Sequence, residues 1–160
     1  MKCLRCASTM RTRRENYKYD ACGLPGITLV GVGVARCPKC GDHEVAIPRI
    51  EDLHRAIAQA VIRKKGRLTP EEVRFLRKYL GWSGSDFSSH IGVTPETVSR
   101  WEQGAARVGA TADRLLRLMV VTREPASDYS LDILKEIPGD EPAPLTLGLR
   151  VGRKGWRVAA

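Results

Sequence analysis

The sequence predicts an α+β protein: a small N-terminal four-cysteine β module followed by an all-α bundle that contains a helix-turn-helix. Three observations predict it. Two C-x-x-C pairs lie near the N-terminus, separated by a stretch with strand character. From about residue 50 onward, apolar residues recur at helical spacing between well-formed caps. Residues 83–104, SGSDFSSHIGVTPETVSRWEQG, read as two short helices joined by a tight turn. The chain divides into a zinc-binding module over 1–48, a connecting helix and hinge over 49–66, a helix-turn-helix domain over 67–137, and a Pro-rich linker with a basic tail over 138–160.

In the first segment, Cys3-Leu4-Arg5-Cys6 and Cys37-Pro38-Lys39-Cys40 are the two pairs. A two-residue gap lets both sulfurs of a pair bind one metal from a tight turn. Two pairs brought together supply the four thiolates of a tetrahedral zinc site. Gly41 supplies the positive φ that such a turn often needs. The 30 residues between the pairs exceed those of a short zinc ribbon, and strands can fill them. Residues 13–19 place tyrosines at alternate positions, and 27–34 interleave apolar residues with glycine and threonine. Pro25-Gly26 marks the turn, so a small sheet returns Cys37 beside Cys3. One structural zinc per chain on Cys3, Cys6, Cys37 and Cys40 is the favoured reading. A thiol–disulfide switch at one pair is an alternative. Catalytic zinc is a third, and it needs an open coordination position and a nearby base. His43 ranks below Cys3 as a ligand. Cys22 reads as a packed or exposed loop residue, and His54 and His90 as surface or packing residues of helices. A module this small buries little core alone, so metal is expected to supply much of its folding free energy.

Residues 50–65 form the connecting helix, with Ile50, Leu53, Ile57 and Val61 as its apolar stripe. Arg63-Lys64-Lys65 complements its C-terminal dipole and reads as a solvated helix end. Gly66 ends it, and the hinge falls at 66–68. Thr69-Pro70-Glu71-Glu72 is a capping box with proline at the first helical position. Val73, Leu76 and Leu80 share a face of the helix it opens. Ser83 caps the next helix with Asp86 as reciprocal partner, and Phe87 and Ile91 face inward around the small Ser88. Gly92 sits where the turn needs positive φ, and Val93 plugs the core beneath it. Thr94 caps the second helix ahead of Pro95, Val98 and Trp101 face inward, and Gly104 stops it. Glu96, Thr97, Arg100 and Gln103 remain on the exposed face. Residues 111–121 place Ala112, Leu115, Leu116 and Met119 at helical spacing. Residues 130–137 read as one more short helix, with Leu131, Leu134 and Ile137 as a dimer or packing seam. Residues 138–144 are breaker-rich. The end alternates around Leu145, Leu147 and Leu149 and then turns basic, as a strand added to a neighbour or as a disordered tail that assists DNA binding.

Lys and Arg total 27 against 18 Asp and Glu, a formal charge of +9. Such an excess attracts polyanions, although solubility alone explains many basic proteins. The opening MKCLRCASTM has no apolar signal core, and no apolar run is long enough to span a bilayer. The expected setting is therefore the cytoplasm, with reduced cysteines and no membrane partner. H-E-x-x-H, G-x-S-x-G and P-loop patterns are missing, so the chain does not read as an enzyme.

The words GWSGSDFSSHIGV and ETVSRWEQG resemble the XRE-type (Cro-like) helix-turn-helix domains. With MKCLRC and CPKCG ahead of them, the arrangement over about residues 1–122 resembles the MqsA antitoxins of the YgiT-type zinc-finger/helix-turn-helix family. The resemblance implies a zinc module that binds a toxin, an mRNA-cleaving ribonuclease. It also implies a second domain that forms a homodimer and represses the toxin–antitoxin operon. Arg100 matches the family's base-reading arginine, whereas the base-reading asparagine falls where this chain has Glu96. The tail beyond about Ser127 lies outside the pattern. The expected function is a sequence-specific repressor that binds a palindromic operator in double-stranded DNA. Two recognition helices would enter major grooves about 34 Å apart. Arg100 can fork onto guanine, Glu96 can accept from cytosine N4, and Thr97 can touch a thymine methyl or a phosphate. Ser83, Ser85, Gln103 and Arg107 are candidate phosphate contacts. The alternative is a stand-alone regulator whose zinc module binds another partner or senses metal or redox state.

Overall fold

Strand β2 (Ile27–Arg36) organises one half of the protein. Its residues alternate between buried and half-buried over most of its length, as a strand with one face on a core requires. One edge pairs antiparallel with β1 (Arg11–Lys18), with a register shift between Glu15 and Tyr17. The other edge is shared. Its C-terminal half pairs antiparallel with β3 (His43–Ala46), and its N-terminal end pairs in parallel with β4 (Leu147–Gly152). β5 (Gly155–Val158) pairs antiparallel with β4 and completes a five-stranded sheet. The computed structural model describes residues 1–123 and 142–159. The helix expected over 130–137 and the first part of the expected linker lie outside them.

Among the described residues, five helices follow β3: α1 (Ile50–Arg63), α2 (Pro70–Tyr79), α3 (Gly84–Ile91), α4 (Pro95–Glu102) and α5 (Ala110–Arg123). The sequence caps act as their chemistry dictates. Thr69 with Glu72, and Ser83 with Asp86, form complete capping boxes on α2 and α3. The Thr94 hydroxyl accepts from the Thr97 N–H at the start of α4. Gly92 closes α3 at φ 76°, a left-handed conformation that a side chain would strain.

The sheet and helices share one core. Ile27, Leu29, Leu147, Leu149 and Trp156 from the sheet join Leu53, Ile57 and Val61 of α1. That cluster continues through Leu76, Phe87, Val98, Leu116 and Val120. Each such side chain contributes roughly 1.5–3 kcal/mol when fully buried. Among the described residues, Cys3, Met10, Ala35 and Cys37 form a separate small cluster. The core thus crosses the boundary expected between an N-terminal module and a helical domain.

Several expectations need correction. The tail expected from 138 is not a tail over 147–158, where it is a hairpin inside the N-terminal sheet. Parallel pairing with a strand distant in the sequence leaves no local signature, so the sequence left a strand and a tail equally open. Ile50, expected in the apolar stripe, is exposed, and Ala58 and Ile62 widen the buried face instead. Lys64 is not a solvated helix end. Its Nζ lies 2.6 Å from Glu72 Oε2, with the two side chains 9% and 3% exposed. Glu72 also accepts from the N–H groups of Thr69 and Leu145, at 2.8 and 3.3 Å. One buried carboxylate thus joins α1, the cap of α2 and the returning C-terminal segment. Burial pushes its pKa up, against the pull of Lys64 and of those N–H groups. The expected hinge at 66–68 is held by hydrogen bonds from Leu68 N–H to Asp113 and from Arg117 to the Gly66 carbonyl.

His54 packs as expected of a packing histidine. Its Nε2 lies 3.0 Å from the Tyr19 hydroxyl, and its ring stacks on Tyr19 and meets Phe75 edge-on. Burial lowers its pKa below the ordinary imidazole value. A lowered folded pKa means that the unfolded chain binds the proton more readily. This contribution to stability is present above about pH 6.5 and is lost as pH falls toward the folded pKa. Thermal melts across that range should show wild type losing more stability on acidification than His54→Gln. Parallel curves would remove His54 from the titration.

Candidate metal centre and the exposed face of the fourth helix

The two C-x-x-C pairs fold into matching turns. In the first, Ala7 N–H donates to Cys3 O at 2.9 Å, and Cys3 N–H donates to Ser8 O at 2.9 Å. In the second, Gly41 N–H donates to Cys37 O at 3.1 Å, and Cys37 N–H donates to Asp42 O at 2.8 Å. The residue after each pair has positive φ, 57° at Ala7 and 74° at Gly41. Gly41 adopts it freely, and Ala7 holds it at a steric cost. The pairing of β1 with β2 brings the turns together.

All four Sγ atoms of Cys3, Cys6, Cys37 and Cys40 then lie within 4.8 Å of one another. Cys3 and Cys40 are 3.6 Å apart, and Cys6 and Cys37 are 3.4 Å apart. Four sulfurs at about 2.3 Å from a central ion sit about 3.8 Å from each other. The cluster therefore has the size and donor set for a thiophilic ion, and all five cysteines are free of disulfides. Hydrogen bonds from Ser8 lower the Cys6 thiol to about 6, helped by Cys37. At Cys40 a backbone hydrogen bond from Asp42 favours the thiolate. Burial and the neighbouring sulfurs outweigh it and push the thiol up to about 12. Four thiolates this close repel, and a cation at their centre removes that cost. Asp42 was not foreseen. Its Oδ2 lies 3.8 Å from Cys3 Sγ, and its Oδ1 accepts from the His43 N–H at 3.0 Å. The C-G-D sequence is a turn signal that would have found it. His43 stands outside the cluster, its ring 5.9 Å from that of Tyr17. Cys22 also stands apart, packed on the main core with its Sγ 3.5 Å from Tyr19 O, and burial raises its pKa.

In the helical half, α4 buries Val98 and Trp101 and exposes Glu96, Arg100 and Gln103. Among the described residues, the Arg100 side chain makes no ion pair or hydrogen bond. A backbone hydrogen bond at the helix start, then the Thr94 hydroxyl, lowers the Glu96 pKa and keeps it ionised. Thr97 is half-buried, its hydroxyl 3.1 Å from that of Thr94, so capping occupies it in part. Gln103 Nε2 donates to Ser99 Oγ at 3.0 Å. Ser83 is engaged in its capping box, donating to Asp86 Oδ2 at 2.6 Å, while Ser85 and Arg107 are exposed at either side of the helix pair.

Sequence reasoning missed what holds α4 in place. Glu102, only 11% exposed at its side chain, accepts from Arg77 Nε at 2.5 Å and Nη2 at 3.0 Å. Arg74 Nη2 donates to the Glu102 carbonyl at 2.6 Å. These bonds clamp the end of α4 to α2. Among the described residues, no helix is long and apolar enough to cross a membrane. No protein-family model and no curated protein matches this chain.

Proposed function

We propose that this protein is a sequence-specific DNA-binding transcriptional repressor with one structural zinc on Cys3, Cys6, Cys37 and Cys40. The observation that carries the reading is the α3–α4 pair. Two short capped helices meet at a glycine turn, and the second is clamped by Glu102 while Glu96, Arg100 and Gln103 stand in solvent. A rigid helix with an unpaired arginine and an ionised carboxylate on its open face suits the donor and acceptor pattern of a major groove. Ser83, Ser85 and Arg107 flank it as phosphate contacts. The protein acts as a homodimer on a palindrome. It serves as the antitoxin partner of an mRNA-cleaving ribonuclease docked on the zinc module, as the order of its parts suggests. The reading places it in the cytoplasm and assigns it no catalytic step.

Thiolate donors suit zinc as well as other soft ions, so metal analysis of the purified protein is the direct check on the ion. Selection of bound sequences from random DNA tests specificity, palindromy and half-site spacing together. Arg100→Ala is expected to weaken binding to the selected site by ~1–3 kcal/mol and to relax preference at one base position. Unchanged affinity in a gel-shift titration would reject the role given to Arg100.

A further inference from the structure

The hairpin of β4 and β5 holds more cation than its fold explains. Residues 142–159 contain Arg150, Arg153, Lys154 and Arg157 and no acidic residue. All four are exposed, and among the described residues none of them makes an ion pair. Arg150 and Arg157 are direct cross-strand partners, and like charges placed opposite destabilise a ladder. Arg153 and Lys154 form the two-residue turn between Gly152 and Gly155, where Asn-Gly would close the hairpin better. Leu147, Leu149 and Trp156 of the same hairpin are buried in the core, so Arg150 and Arg157 stand on the face turned away from it. The hairpin is also firmly seated. Trp156 Nε1 donates to Pro48 O at 2.7 Å, and Arg49 Nη2 donates to Gly152 O at 2.6 Å. Arg49 holds that contact from a left-handed backbone, φ 49°, which is costly for a non-glycine residue.

We infer that this hairpin is a second nucleic-acid-binding element that takes the backbone phosphates of duplex DNA beside the site read by α4. The inference rests on the DNA-binding reading above. Phosphates neutralise the Arg150–Arg157 repulsion and give the turn cations partners, and a pre-formed hairpin loses little entropy on binding. The chain also keeps the hairpin near the end of α4. Pro142 lines one cleft with Trp101, Gly104 and Arg107 at the end of α4. The ten residues from there to Gly152 span at most ~35 Å, about one turn of a duplex.

The test is a salt titration of DNA affinity using full-length protein. Replacing Arg150, Arg153, Lys154 and Arg157 with glutamine is expected to flatten the slope of log K against log salt by up to about 3.6. The selected DNA sequence should stay the same, and the thermal midpoint should not fall. Arg153→Gln with Lys154→Gln alone, at turn positions where folding is not at risk, should flatten the slope by about 2. An unchanged slope in either variant overturns the inference. So does a loss of affinity confined to anionic phospholipid vesicles, with DNA binding intact. The two readings fail separately. Wild-type binding without sequence preference removes the α4 assignment and leaves the hairpin effect measurable. A selected sequence with no hairpin effect does the reverse, and wild type that binds no DNA overturns both.

Discussion

Replacing Arg117 with alanine is expected to cost about 3–5 kcal/mol of stability, the range for breaking a fully buried ion pair. Arg117 and Asp113 lie one helical turn apart on α5, both with side chains 0% exposed, and Arg117 Nε lies 2.7 Å from Asp113 Oδ1. Three further guanidinium N–H bonds are made. Nη1 donates to the carbonyls of Ile62 and Lys64, and Nη2 donates to that of Gly66 at 2.7 Å. The Lys64 and Gly66 carbonyls lie just beyond the end of α1, past the reach of its own hydrogen-bond ladder. Asp113 Oδ2 in turn accepts from the Leu68 N–H at 2.8 Å. One side chain thus closes α1, pins the loop to α2 and neutralises a buried carboxylate. Removing it strands a charge and takes a donor from the Lys64 and Gly66 carbonyls together. Asp113→Asn should cost less, because the amide oxygen can keep the Leu68 bond. A double variant with both residues made apolar should recover part of the loss, although the Lys64 and Gly66 carbonyls still lack the guanidinium donor. Denaturant unfolding of the two single variants and the double variant gives the coupling energy directly. An Arg117→Ala midpoint equal to that of wild type would show that the network contributes nothing.

That network marks the limit of what the sequence discloses. Residues that act through local chemistry were legible. The capping boxes at Thr69 and Ser83, the glycine turn at Gly92 and the C-x-x-C turns are fixed by neighbours two to four positions away. The apolar period located Phe87, Val98 and Trp101 in the core. The burial of Arg117, Asp113, Lys64 and Glu72 was not legible, because charged residues at helical spacing read as a solvated face. Only tertiary partners from α1 and from the C-terminal return make their burial tolerable. The same holds for β4, whose parallel partner β2 lies more than a hundred residues earlier. Within the candidate sites, the four cysteines and the open face of α4 came from spacing. Asp42 beside Cys3, and the Arg77–Glu102 clamp behind Arg100, came from the fold.

If zinc occupies the proposed site, chelating it is expected to unlock the two cysteine turns while the rest of the protein stays folded. The sequence alone suggested a module that owes most of its folding free energy to zinc. The structure shifts that expectation, because β2 buries Ile27, Leu29, Val32 and Val34 in the core shared with the helices. Only Cys3, Met10, Ala35 and Cys37 depend on the smaller cluster. A cluster of four small or flexible side chains holds little apolar area, so under the proposed zinc reading the free energy of metal binding would hold the turns. In isolated zinc-finger peptides that binding is worth roughly 10–16 kcal/mol at neutral pH. Chelation or Cys37→Ser should therefore release the amides of Cys3, Ala7, Cys37 and Gly41, whose hydrogen bonds define the turns, to rapid hydrogen exchange. Amides of α1, α2 and α5 should keep their protection, and the helical circular-dichroism signal should persist. Loss of the ion should also follow acidification, since protons compete for the thiolates and binding weakens as pH falls. Two results would overturn this account. Metal-free protein with protected turn amides would mean that backbone hydrogen bonds alone hold the cysteines together. Global unfolding on chelation would mean that the turns, rather than the shared core, anchor β1 and β2.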